Sequence, residues 1–219
     1  MDVVVLIPRR PDPWRDRFWQ YVRAYLAETV EWEVFEGVSE EGPFNRAAAI
    51  NAAARRPWSV AVILDADTVV EGPRLQAGVD AAREGVLAVP HDRFRSLTRR
   101  ATAAVLRGQL SPAEAPVRWT REETKSSCLC IGRGLWEEVG GFDERFRGWG
   151  FEDAAFYAAC RQLGGVYRLG GPVHHLWHPR SPEKDPQLPE YVANRELAER
   201  YKAARGRAEM EALLAERKR

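Results

Sequence analysis

Three stretches of this 219-residue chain gather side chains that can hold a cation or move a proton. In "ILDADT" the apolar run Val60 to Leu64 leads straight into Asp65 and Asp67. A strand ending there sets two carboxylates at the carboxyl edge of a sheet, where open α/β sheets bind ligands. Such oxygens suit Mg²⁺ or Mn²⁺, which binds one or two carboxylates and completes its shell with substrate phosphates. Asp-x-Asp is also the composition of a plain Asx turn. "GPVHHLWHP" holds His174, His175 and His178, three of the four histidines of the chain. Imidazole binds metals and carries protons. No thiol or second histidine motif completes a closed tetrahedral zinc set, so one histidine joining the carboxylates on a single cation is the economical reading. In "GWGFEDAAF" the adjacent Glu152 and Asp153 open an apolar, helix-like run. Acids in a first helical turn favour the positive end of the macrodipole, and a carboxylate held in a cleft can take a proton from a hydroxyl. Capping and proton transfer are compatible.

The elements around these stretches alternate. "DVVVLIP" reads as a buried strand closing at Pro8, and apolar positions from Trp14 to Leu26 recur at helical spacing in a helix that could begin at Pro13. A strand around Trp32 to Phe35 and the alanine-rich helix "GPFNRAAAINAAARRP" precede the strand that ends at Asp65. A helix from about Pro73 to Glu84 and a strand "GVLAVP" follow. The middle, "RFRSLTRRATAAVLRGQLSPAEAPVRW", reads as one helix and a polar connection. After it come a strand "SSCLCIG", a helix "RGLWEEVGG", a helix to about Leu163 and a strand "GVYRLG". Strand and helix in alternation indicate an α/β fold with a mostly parallel central sheet flanked by helices. "PRSPEKDPQLPE" is a loop by its four prolines, either a lid or a plain surface connection. The tail from Tyr191 reads as one charged surface helix that packs or pairs through Leu197, Tyr201, Met210 and Leu213.

A net charge of +1 supplies no basic field, so nucleic acid is not an expected partner. No run approaches the ~20 apolar residues of a membrane span, and no signal-peptide pattern follows Met1. Cys128, Cys130 and Cys160 lack metal-ligand spacing and read as buried free thiols. These features together predict a cytoplasmic protein.

In order along the chain, "PFNRAAAINAAA", "VILDADT", "GGFDERFRGWGFEDAAF" and "HHLWH" resemble the metal-dependent GT-A glycosyltransferases, above all the galactosyltransferase family with its relatives among chondroitin-type polymerases. The likeness runs from Val3 to about His178. It implies a GT-A, Rossmann-like nucleotide-diphospho-sugar transferase domain over residues 1–180, followed by a Pro-rich loop and charged helix over 181–219. It implies an inverting transfer from a nucleotide-diphosphate sugar, by preference a UDP-sugar, to the hydroxyl of a glycan, protein or small molecule, with Mn²⁺ or Mg²⁺ as cofactor. On the same basis Asp67 and His175 would bind the metal, and Asp153 would be the general base. Pro8, Arg9, Phe44, Arg46, Asp65, Ala66 and His178 would contact the donor, His178 beside the diphosphate. Trp149, Gly150 and Glu152 would meet the sugar and the acceptor.

The chain departs from the family at Phe151, where glycine is common, and at Ala154 and Ala155, which replace acids. The resemblance leaves two other readings: a non-catalytic nucleotide-sugar-binding module, and a sugar-phosphate nucleotidyltransferase. The second is disfavoured because "PRRPDPWRDRFW" has no glycine to cradle a triphosphate. Any homo-oligomer is expected to form through the tail helix.

Overall fold

The computed structural model describes residues 2–39 and 42–218. Its elements run β1 (Val3–Arg9), α1 (Asp16–Thr29), β2 (Glu33–Val38), α2 (Arg46–Ala53), β3 (Val60–Leu64), β4 (Thr68–Val69), α3 (Gly72–Arg83), β5 (Leu87–Val89) and β6 (Arg93–Leu97). They continue with α4 (Arg99–Leu106), β7 (Val117–Glu122), β8 (Cys128–Gly132), α5 (Arg133–Val139), α6 (Glu152–Leu163), β9 (Val166–Arg168), β10 (Pro172–His175), α7 (Pro189–Ala203) and α8 (Gly206–Ala215).

Six strands form the central sheet in the order β2-β1-β3-β8-β5-β9. Five point one way, and β8 runs antiparallel to both β3 and β5. Both faces of the inner strands β3, β8 and β5 are covered, so these are apolar rather than alternating with polar residues, whereas the edge strands β2 and β9 keep exposed positions. Val4, Leu6, Ala61, Ile63, Leu129 and Ile131 face one core with α2, α5, α6 and the tail. Val5, Ile7, Val60, Val62, Leu64, Cys128 and Cys130 face the other, with α1, α3 and α4. The period-two swap between the cores is the pleat itself. All three cysteines are buried free thiols, and Cys128 and Cys130 share a face.

Helix α1 starts at Asp16 rather than Pro13. The Asp12 carboxylate accepts from the Trp14 and Arg15 backbone N–H groups at 2.8 and 3.0 Å, which holds the preceding residues in a turn. Close packing of β2 on α2 depends on Gly37, where a Cβ would overlap the Ala49 carbonyl. Gly37→Ala is therefore expected to lower the unfolding free energy by about 3 kcal/mol, the upper range for overpacking. Urea unfolding measures this, and an unchanged midpoint would refute the close approach.

A second sheet, β4-β10-β6-β7, was not anticipated. β4 has two residues, and β6 and β7 carry arginine, threonine and glutamate where alternation would normally show. β7 is exposed along nearly its whole length, so burial imposes no pattern on it.

The tail packs through Tyr201, Met210 and Leu213 as expected, but it is not one helix. It folds as α7 and α8 with extended backbone at Ala204 and Arg205 between them. Tyr201, Met210 and Leu213 are buried in the same core as Phe156 of α6. The Tyr201 hydroxyl donates to Asp143 at 2.9 Å and accepts from Arg217 at 2.6 Å. A few large apolar residues are enough here because each enters the core of the chain rather than a partner's. No helix among the described residues is long and apolar enough to cross a membrane.

Candidate active site

The apolar residues of β3 bury it on both faces, and the chain leaves the sheet at Asp65. The Asp65 N–H donates to the Ser127 carbonyl at 3.0 Å, and its own carbonyl accepts from Thr68 at 3.1 Å, which turns the chain tightly into β4. β4 then pairs with β10 in the register His175↔Thr68 and His174↔Val69. The Leu176 N–H donates to the Asp67 carbonyl at 2.9 Å, closing the ladder. Two segments more than a hundred residues apart thus meet through backbone hydrogen bonds.

That ladder brings Asp67, His175 and His178 together, with one ligand atom from each lying within 4.8 Å of the others. His175 Nε2 is 3.6 Å from one Asp67 oxygen and His178 Nε2 is 3.3 Å from the other. Nδ1 of His178 lies 2.7 Å from the Pro179 carbonyl and its Nε2 faces the Asp67 carboxylate; both partners are acceptors, and against the opposing effect of burial they raise the His178 pKa. Burial opposes ionisation of Asp67, but the two imidazoles hold its carboxyl well below the usual range. Burial pushes His175 down, toward the neutral ring that can donate a lone pair. His175 Nδ1 is buried without a hydrogen-bond partner. An ionised carboxylate and two oriented imidazoles fit a divalent cation. His174, the next strand residue, points to the opposite face. It is buried with neither ring nitrogen bonded, and burial lowers its pKa to about 4.

A second cluster forms around Arg46, the first residue of α2. Asn45 caps that helix by accepting from the Ala48 N–H at 2.8 Å. From there the Arg46 guanidinium donates to Asp65 Oδ1 from Nε and Nη2 at 3.0 and 2.7 Å. Its Nη1 donates to Asp153 at 2.6 Å and lies 3.4 Å from Glu152. Three carboxylates therefore share one cation, and all are partly or wholly buried. Burial opposes the guanidinium's charge, but Asp153, Asp65 and Glu152 outweigh it, and Arg46 stays protonated. The acids cannot all ionise around a single positive charge. Burial, aided by Glu152 and Asp65, pushes Asp153 well above the carboxylate range against the pull of Arg46. Glu152 rises too, again chiefly by burial. At the start of α6 desolvation thus outweighs the helix dipole.

The "GWG" segment reaches this cluster because the Gly148 N–H donates to the Phe44 carbonyl at 3.0 Å. Asn45 and Asn51 of the same helix region bind the backbone of Glu144 and Phe142. Trp149 stacks on Tyr191 at 5.9 Å and 5°, and Phe151 meets Tyr191 edge-on at 5.1 Å. Gly148 and Gly150 have φ of 71° and 92°, and Phe151 is left-handed at 76°. The structure thus imposes a glycine conformation on Phe151, the position at which glycine is common in the family. Phe151→Ala is expected to lose the aromatic contacts and keep the strain, whereas Phe151→Gly loses the contacts and relieves it. Glycine should therefore be the more stable replacement by about 1 kcal/mol. Thermal unfolding of the pair decides, and an alanine variant of equal or higher stability would disprove the strain.

Arg9 is tied to Asp16 at 3.0 Å and Glu36 at 2.7 Å, bracing the turn after β1 beside Pro8. The Phe44 N–H donates to Glu183 at 3.3 Å, and Lys184 Nζ sits 4.1 Å over the Trp149 ring, so the Pro-rich loop crosses the same region. Ala66 is half-buried between the two aspartates. Arg15, unnoticed in the sequence, exerts its charge on Asp67, His175 and His178 together. Its only signal was its place just beyond the carboxyl end of the first strand. A cavity of about 840 Å³ between α5, the 140–147 turn and α8 contains none of these clustered groups.

Residues 120–178 match the family model described as the N-terminal domain of galactosyltransferase. No curated protein matches the chain in sequence. Among solved structures, the catalytic domain of Drosophila β1,4-galactosyltransferase 7 in complex with xylobiose aligns at a TM-score of 0.54 and 12% identity, covering 89% of this chain and 80% of that one. S. aureus TarS (1-349) in complex with UDP-GlcNAc aligns at 0.55 and 10% identity over 99% of this chain and 71% of that one. GalNAc-T7 with UDP, GalNAc and Mn²⁺ aligns at 0.50 and 14% identity over 100% of this chain and 54% of that one. With the layered α/β architecture, these likenesses show that the chain has the GT-A fold.

Proposed function

We propose that this protein is an inverting, divalent-metal-dependent glycosyltransferase that moves a sugar from a nucleotide diphosphate, by preference UDP, to an acceptor hydroxyl. One observation carries the reading. Asp65, held by the same guanidinium as Asp153, is two residues from Asp67 of the Asp67–His175–His178 cluster. A cation site and a candidate base are therefore linked, through Arg46, to one turn at the carboxyl edge of the sheet. A bound divalent cation would stabilise negative charge on the departing diphosphate. One carboxylate oxygen with two imidazole nitrogens favours Mn²⁺ over Mg²⁺, which prefers oxygen ligands throughout.

In this reading Asp67, His175 and His178 hold the cation, and Arg15 adds positive charge beside it. Asp153 accepts the acceptor's proton at its carboxylate, and Arg46 fixes its orientation through the 2.6 Å bond. A base on the face opposite the leaving group inverts the anomeric centre. Pro8, Arg9, Phe44 and Ala66 border the nucleotide, and Trp149, Gly150 and Glu152 border the sugar and acceptor. The test is UDP release from a panel of UDP-sugars with Mn²⁺, compared with chelator. Metal-dependent release is expected for at least one donor. Donor binding without release would favour a binding module, and pyrophosphate release from a nucleoside triphosphate would favour a nucleotidyltransferase.

A further inference from the structure

Two buried polar atoms beside the cation cluster have no hydrogen-bond partner among the described residues, and they belong to side chains that face each other. One is the Thr68 hydroxyl and the other is Nδ1 of His175. Thr68 is fully buried, and its N–H donates to the Asp65 carbonyl at 3.1 Å, which fixes its place at the start of β4. β4 and β10 hold the two residues in direct register, His175↔Thr68. In the adjoining pair of that ladder the Leu176 N–H bonds the Asp67 carbonyl at 2.9 Å. Hydrogen-bonded and non-hydrogen-bonded pairs alternate along antiparallel strands, so Thr68 and His175 form a non-hydrogen-bonded pair. Pairs of that kind bring side chains closest, with Cα atoms about 4.5 Å apart. Both side chains leave the sheet on the same face.

His175 presents Nε2 to Asp67 at 3.6 Å, so the nitrogen left over is Nδ1. A ligating imidazole almost always gives its other N–H to an acceptor, which fixes the ring and its tautomer. The neighbouring rings supply no acceptor. Phe94, 5.1 Å away between ring centres, has no acceptor atom. His178, at 5.0 Å, has Nε2 turned to Asp67 and Nδ1 to the Pro179 carbonyl. Ser96 flanks His175 from β6 on the same face, yet of the two hydroxyls only that of Thr68 is buried without a partner. A hydroxyl suits the place because it serves both states of the ring. It accepts from Nδ1–H when Nε2 holds an ion, and donates to Nδ1 when Nε2 carries the proton.

We propose that Thr68 is a positioning residue for the cation site: its hydroxyl, after rotation about χ1, takes the His175 Nδ1–H and holds the ring with Nε2 toward the ion. The inference rests on the cation reading above and adds to it a residue that acts only through His175. It also accounts for a hydroxyl at this position. Val69 and Val70 follow in equally buried surroundings, where valine serves packing without stranding a polar atom.

The experiment titrates Mn²⁺ into the full chain in the presence of excess UDP and reads free Mn²⁺ by electron paramagnetic resonance. Thr68→Val keeps the shape of the side chain and removes the hydroxyl. It is expected to weaken Mn²⁺ at least about ten-fold, the usual cost of losing an outer partner of a ligating histidine. The metal-free Tm of that variant should not fall, because the hydroxyl it loses is unbonded. Thr68→Ser returns the hydroxyl and should recover wild-type affinity, and Ser96→Ala should leave affinity unchanged. In a His175→Ala background Thr68→Val should cost nothing further, because the effect passes through that ring. Equal Mn²⁺ affinity in Thr68→Val and wild type overturns the proposal. So does a Thr68→Ser variant as weak as Thr68→Val, which would assign the loss to packing, and so do losses that add in the His175→Ala background. Wild type that takes up no Mn²⁺ would remove the cation reading itself, and this inference with it.

Discussion

Replacing Asp153 with asparagine is expected to lower kcat by about a hundred- to ten-thousand-fold, the usual contribution of a general base. Affinity for UDP with Mn²⁺ should change little. Asparagine is nearly isosteric and still offers an oxygen to Arg46 Nη1, so the 2.6 Å contact can persist. What it lacks is the capacity to take a proton. The substitution also removes negative charge from a crowded cluster in which three carboxylates face one guanidinium, so the variant should be no less stable than wild type. Wild-type pH dependence carries the same signature. Burial raises the Asp153 pKa, and the base works only when deprotonated. Activity should therefore fall with decreasing pH at a higher pH than the ordinary carboxylate value of about 4, and the residual activity of Asp153→Asn should lack that limb. A variant with near-normal kcat would remove Asp153 from the chemistry.

Asp67→Ala is expected to abolish the response to Mn²⁺. Asp67 is the single carboxylate of the cluster, and without it only two imidazoles remain to hold the ion. At a metal concentration a hundred times the dissociation constant, binding stabilises the folded state by about 2.7 kcal/mol. For a chain of this size that corresponds to a loss of about 5–10 °C in metal-dependent Tm shift. UDP affinity measured with Mn²⁺ should fall at least about a hundred-fold, more than the effect of removing an outer-sphere partner. His174→Ala is the control. Its ring lies on the other face of β10, so the metal response should survive even if the core loosens. A full Mn²⁺-dependent shift in Asp67→Ala would show that the ion, if any, binds elsewhere.

Self-association through Tyr201 or Met210 of the tail would require residues now committed to the chain's own core. Tyr201 and Met210 are fully buried within the chain. Composition alone could not show this, because a sparse apolar stripe on a charged helix looks the same whether it faces its own core or a partner's.

Much of the architecture was legible because buried strands and amphipathic helices repeat with fixed periods. "VAVIL" had to be a strand covered on both faces, and whatever followed it had to lie at the sheet's edge. Asp65 and Asp67 were therefore readable as edge carboxylates from local chemistry alone. The second sheet was not readable, because its strands are short or exposed and their partners, not their composition, make them strands.

That sheet also decides the site. The sequence by itself determined which groups could do chemistry and that most would fall at strand and helix ends, because periodicity and end preferences are local properties. Only the tertiary structure decided their company. It placed His178 beside Asp67, gave Arg46 to three carboxylates and raised Asp153 by burial where its helix position alone would lower it. These outcomes depend on through-space distances between distant segments and on the exclusion of water, which the order of residues does not encode locally.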